Sequence, residues 1–296
     1  MKRRLRSIGI GALASLVVSV WPSVASAQVV DLAGEWQVLM HEDQPERAAG
    51  PEVGDYLGLP INEAARVRGE AWSASLLTVP EHQCIPHPAN YSAMHGNLRV
   101  WKEVDTSSQR LVAWHLLWES YNRFRTVYMD GRPRPSEDAP HTWQGFSTGE
   151  WRGRTLVITT THLKASRIRR NGIEHSDRAR LTEFIARHGD ILTIGSWLDD
   201  PVYLTEPYMH TRSFRNNPNQ VIRPYPCRGV VEVERAQGDV PHYIPGKNPF
   251  LGAFARRFGL PLAAAMGGAE TMYPEYAQRM KTMNPAGGAP ASGGSR

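Results

Sequence analysis

Between positions 98 and 198 the chain is written as short apolar runs, most of them ending at a turn signal. "LRVWKEVD" (98–105) and "RLVAWHLLW" (110–118) flank the polar turn Thr106 to Gln109. "NRFRTVYM" (122–129) runs into Asp130-Gly131, and "TWQGFSTGEW" (142–151) and "RTLVITTTHL" (154–163) face each other across Arg152-Gly153. Runs of this length with turn residues between them fold as strands and hairpins. Arg132 to Pro140 holds three prolines and cannot lie in a central strand. The pattern predicts a mainly β protein, an antiparallel, closed or nearly closed barrel of about eight to ten strands with short peripheral helices, over residues 28–283. Closure removes sheet edges and leaves an interior that can hold a small ligand.

One segment reads two ways. In "DRARLTEFIARHGDILTIGSWL", Leu181, Phe184, Ile185 and His188 have helical spacing, with Gly189 as a C-cap. Read as strands, 179–187 and 190–198 form a hairpin around His188-Gly189, and the surrounding β-pattern favours this reading. Helical additions are expected at 59–72 and 249–258, where Asn248, Pro249 and Gly259 supply the capping chemistry. The Gly/Ala/Ser/Pro tail, 284–296, is expected to be disordered.

The first 27 residues have the pattern of a secretory signal peptide. Lys2, Arg3, Arg4 and Arg6 precede an uncharged run, Ile8 to Val20, and Ala25-Ser26-Ala27 offers a cleavage site. The predicted location is periplasmic or secreted, with cleavage after Ala27. Of 34 Lys+Arg, four fall in this leader, so 30 face 29 Asp+Glu in the remainder. The basic balance belongs to the leader, which argues against a nucleic-acid footprint. No later stretch is apolar enough for stable membrane insertion. The two cysteines, Cys84 and Cys227, are expected to pair in an oxidising compartment.

"YMDGRPRP", "HTWQGFSTGEWRGRTLVITTTHL" and "DPVYLTEP" resemble a widespread group of secreted bacterial proteins of unknown function, over roughly 31–276. That resemblance implies no activity. Gly34-Glu35-Trp36 is similar to the Gly-x-Trp of lipocalin-like barrels. "TTHL" and "LTIGSWLDDP" resemble endonuclease/exonuclease/phosphatase strands, but Ser196, Trp197 and Leu198 follow Gly195 where catalytic Asp and Asn would be needed.

Alternation on the strand 154–163 puts Leu156, Ile158, Thr160 and His162 on one face. His162 there is a satisfied core residue, a pocket acid/base or a metal ligand, and imidazole suits proton transfer near neutrality. Glu183 as a strand residue shares an apolar face with Leu181 and Ile185. Tyr128 offers a phenol from the face of Phe124 and Thr126. His141 and Trp143 follow the proline-rich loop as pocket-lining residues or as loop anchors. Trp114 and His115 lie on opposite faces of a strand that is apolar on both, so periodicity does not say which points inward. Asp199-Asp200 precede Pro201 as a cation site or as backbone caps. Arg167, Arg169 and Arg170 form either a solvated loop or an anion gate. Eight Trp lie beyond the leader, Trp197 among them, and fit either a β-core or a ring-bearing ligand. The eleven His show no HExxH or HxH spacing, so no metal is expected. No Gly-rich phosphate loop follows a strand, and no cofactor is expected.

The expectation is therefore a barrel that binds a small apolar or aromatic molecule. His162 with Glu183, Tyr128 or His141 would support cofactor-independent lyase, isomerase or hydrolase chemistry. Trp143, His115, Trp114 and Trp197 would contact the ligand. The alternatives are a non-catalytic carrier and a structural envelope protein.

Overall fold

The structure is a computed structural model and describes residues 30–40, 52–56, 58–92 and 96–285. The expected leader, 1–27, and the tail from 286 lie outside those residues. Nine strands close into a barrel: β1 (Gly34–Leu39), β2 (Leu98–Val104), β3 (Leu111–Trp118), β4 (Arg123–Tyr128), β5 (Phe146–Arg152), β6 (Thr155–Thr161), β9 (Arg180–His188), β10 (Ile191–Asp199) and β11 (Tyr208–Asn216). Their order round the barrel is β1-β11-β10-β9-β6-β5-β4-β3-β2, and β1 pairs with both β11 and β2 to close it. Two further strands, β7 (Ser166–Arg167) and β8 (Glu174–His175), make a small hairpin outside the barrel.

Turn chemistry sets the register. Gly189 takes a left-handed φ of 58° between β9 and β10, which supplies the backbone twist a tight hairpin needs. This settles the ambiguous segment: 180–188 and 191–199 are strands, and Glu183 pairs with Ser196. At 105–109 the carboxylate of Asp105 accepts hydrogen bonds from the backbone N–H groups of Ser107 and Ser108 (3.2 and 2.7 Å), holding the turn into β3.

The barrel is not wholly antiparallel, and this corrects the expectation. β4 and β5 run parallel, with Val127 opposite Ser147 and Tyr128 opposite Thr148. The cause is the connection 129–145. Its prolines keep it out of the sheet, so it carries the chain back along the wall before β5 begins.

The short helices are peripheral. α1 (Glu63–Ala71) starts at Asn62, whose side-chain oxygen accepts from Ala65 N. α2 (Pro80–Gln83) and α3 (Ala89–Ser92) follow, and every residue of α3 is buried. α4 (Ala253–Phe258) ends at Gly259 in the left-handed conformation, as its sequence predicts, but it begins later than 249. Asn248 instead caps a turn, accepting from Phe250 N at 3.0 Å. α5 (Leu262–Ala265) and α6 (Pro274–Met280) complete the set.

Alternation decides what fills the barrel. Trp36, Trp114, Leu156, Ile185, Ile194 and Phe214 belong to one buried apolar cluster. Further along the same inward faces the side chains turn polar: Arg125, Ser147, Thr160, Glu183 and Arg212 are each at most 2% exposed. β4 and β9 are not neighbours in the sheet, yet Arg125 reaches Glu183 across the interior. A second apolar cluster, with Tyr56, Ile61, Ile168, Ile173 and Leu181, joins α1 and the β7–β8 hairpin to the barrel.

Candidate functional site

The residues singled out in the sequence separate into three environments. Glu183 is inside the barrel. Its Oε1 accepts from Arg125 Nη2 at 3.0 Å, and its Oε2 lies 2.7 Å from Arg125 Nη1 without hydrogen-bond alignment. The guanidinium carbon of Arg125 sits 5.0 Å from the centre of a Trp118 ring. Ser147 and Thr160 share a hydroxyl hydrogen bond of 2.8 Å in the same buried region. Trp114 is also inside, 2% exposed, and serves the core.

Tyr128, His115 and Trp197 face out of the barrel wall. Tyr128 stacks on Phe146 (5.3 Å), with Arg132 over its ring at 3.7 Å. His115 lies against Trp101 and Phe124, and its two nitrogens meet Thr126 Oγ1 (3.1 Å) and Glu103 Oε2 (2.8 Å). Trp197 packs edge-on against Phe184 at 4.1 Å. None of these three converges with Glu183, so Glu183 and Tyr128 do not come together as the partners anticipated for His162.

His162 is the third case and corrects the alternation argument. β6 ends at Thr161, and His162 takes a left-handed φ of 56°. That single residue shifts the inward register from 162 to 163, and Leu163 is fully buried. The ring turns to the proline-rich loop. Its Nε2 donates to the Ser136 carbonyl (2.8 Å), since a carbonyl can only accept, and its Nδ1 contacts Thr161 Oγ1 (2.9 Å). His141 stands beside it, with ring centres 5.3 Å apart. His141 Nδ1 donates to the Leu163 carbonyl at 2.8 Å, which leaves Nε2 as the acceptor nitrogen when the ring is neutral. Both imidazoles line an open groove of about 610 Å³ with Arg134, Asp177 and Arg180.

Trp143, two residues further on, lines a different depression of about 260 Å³. Its apolar walls are Trp72, Leu76, Leu77, Ile85 and Trp143. Its polar wall is the β7–β8 hairpin, with Arg167, Arg169, Arg170 and Glu174. Two of these charges are already spent. Glu174 accepts from Arg68 (2.9 and 3.3 Å), and Arg169 lies 3.6 Å from Asp55. Arg167 and Arg170 make no ion pair with a described residue, and Arg170 Nε is sealed from solvent with no acceptor in reach. Burial, then the neighbouring charge of Arg170, holds Arg167 below the usual guanidinium range.

The local sequence builds this pocket for identifiable reasons. Gly172, at φ 92°, lets the hairpin tip lie against the Trp72 side chain; a Cβ there would fall 2.4 Å from Trp72 Cβ. Asn171, fully buried, donates to the Asp55 and Glu52 carbonyls (2.7 and 3.1 Å) and fixes the tip from behind. On the outer side, Gln83 and Val230 exchange two hydrogen bonds (2.8 and 2.7 Å), and Asn248 donates to the Trp72 carbonyl (2.9 Å). Cys84 and Cys227 lie at disulfide distance, Cα atoms 5.7 Å apart, and pin this strap to the pocket wall.

Asp200 is a cap. It accepts from Ser176 N, Ser176 Oγ and Val202 N at 2.6, 2.6 and 3.0 Å. The contributions of Trp72, Leu76 and Leu77 to a pocket were not legible in the sequence. They lie at the end of a helix and in the turn after it, and only the tertiary fold brings them to the arginine hairpin. No protein-family model, curated protein or solved structure matches this chain.

Proposed function

We propose that this is an exported protein that binds a small aromatic or apolar molecule, and that the ligand sits between Trp72 and Trp143, outside the barrel. The observation that carries this reading is the pocket itself: two indoles and three aliphatic side chains around one concavity of about 260 Å³. Flat apolar walls with a few placed polar groups are what a small-molecule site requires. An apolar cavity of about 150 Å³ takes one benzene ring, so this volume suits one ring with a substituent. The paired cysteines support export, because structural disulfides persist in oxidising compartments. Native mass spectrometry of protein purified from its own compartment tests the reading. A retained small molecule that is lost in Trp143→Ala supports it; a molecule retained equally by both proteins contradicts it.

A second reading, acid/base catalysis, is favoured by one feature. The Nδ1–H of His141 is tied to a carbonyl, which orients its other nitrogen as a proton acceptor beside a groove. Among the described residues no side chain hydrogen-bonds that nitrogen, although Glu137 and Asp177 also line the groove. Binding is therefore the preferred function.

A further inference from the structure

Resting on that binding reading, we infer that the ligand is an anion: a single aromatic ring bearing an oxyanion, carboxylate or phosphate, received by Arg167 and Arg170. The charge balance leads there. Four arginines stand at or beside the pocket wall, and the acidic groups available are Glu174 and Asp55. Arg68 holds Glu174 and Arg169 holds Asp55. Two guanidiniums remain on one hairpin, both half-buried, with no carboxylate within ion-pair reach among the described residues.

Two unpaired cations brought side by side and partly desolvated are unfavourable in the empty protein. An oxyanion between them removes the repulsion and supplies charge-assisted acceptors to two guanidiniums that form no ion pair with a described residue. A guanidinium is planar and matches carboxylate or phosphate with two parallel hydrogen bonds. The indoles of Trp72 and Trp143 lie on the apolar side of the same concavity, where a ring attached to that oxyanion would lie. Lys164, whose Nζ is 5.1 Å from the Trp143 ring centre, adds a further positive charge beside that wall.

Calorimetry at neutral pH with benzoate, phenyl phosphate, benzamide and acetate separates the parts of the claim. Benzamide has the shape of benzoate without its charge, and acetate has the charge without the ring. The expected result is binding of benzoate or phenyl phosphate about tenfold or more tighter than benzamide, from charge-assisted hydrogen bonds. Whichever of the two anions binds tighter identifies the oxyanion. Arg170→Gln and Arg167→Gln should each remove that preference, and Arg170→Lys should keep part of it. Benzamide binding as tightly as benzoate, unchanged in Arg170→Gln, would overturn the anion inference and leave the aromatic pocket standing. Acetate competing as well as benzoate would keep the anion site and remove the aromatic reading. No binding of any probe by folded protein would overturn both.

Discussion

Arginines gather in two places in this protein, and their charge is compensated in opposite ways. Inside the barrel, Arg125 is 2% exposed and meets Glu183, 1% exposed, from the far wall. At the β7–β8 hairpin, Arg167 and Arg170 are half-buried and form no ion pair with a described residue, although Glu174, already held by Arg68, stands opposite Arg167 on the paired strand. A charge that cannot reach water needs a partner within the protein. A charge at the mouth of a concavity can wait for one from solution. The interior pair therefore reads as architecture, tying β4 to β9 across the interior, and the exterior pair as a receptor.

Breaking the interior pair should give the largest effect. Glu183→Leu strands Arg125 in the barrel and should cost about 3–5 kcal/mol in urea unfolding. Arg125→Met combined with Glu183→Leu should recover most of that loss, because the uncompensated charge goes too. A single variant as stable as the parent would show that the interior charge is satisfied in another way. Next in size is the strap. Cys84→Ser with Cys227→Ser should cost about 2–5 kcal/mol. It should also weaken benzoate binding under conditions where the barrel stays folded, because α2 and the adjoining turn lose their pin.

His175 sharpens the comparison through pH. It lies at the base of the pocket hairpin, fully buried, with Nδ1 donating to the Ser176 carbonyl at 2.9 Å. Desolvation holds it below its ordinary value of 6.5, against the weaker pull of that hydrogen bond, Asp200 and Glu174. Its neutral form is the folded form. The stabilisation is thus complete above about pH 6.5 and is lost as pH falls through the range below it, with a slope of at most about 1.4 kcal/mol per pH unit for one proton. His175→Asn should flatten that acid limb; an unchanged slope would assign the limb to other groups. The smallest effect belongs to the exterior arginines. Arg170→Gln should stabilise the ligand-free protein slightly, by no more than about 0.5 kcal/mol, because it removes one of two neighbouring cations, in contrast to Glu183→Leu. A large loss would mean that Arg170 is a structural group after all.

The sequence made the walls legible and left the chemistry scattered. Alternation on β6 and β9 placed Leu156, Ile158, Leu181 and Glu183 correctly, because a strand's side-chain period holds wherever its backbone stays extended. The same rule failed at His162, where one left-handed residue moved the inward position to Leu163. The parallel β4–β5 pair was hidden because prolines state only where a strand cannot be. The proline-rich loop leads into two of the residues singled out in the sequence. His141 faces one groove and Trp143 another, both on the outside of the wall that the strand pattern announced. Trp72 and Arg170 are far apart along the chain, and no local signal couples a helix end to a hairpin tip.

Anomalous diffraction from crystals soaked in 4-bromobenzoate tests the separation of structural from receptive charge most directly. A bromine peak is expected between the Trp72 and Trp143 side chains, with the carboxylate turned to Arg167 and Arg170. A peak inside the barrel, beside Arg125 and Glu183, would contradict that separation.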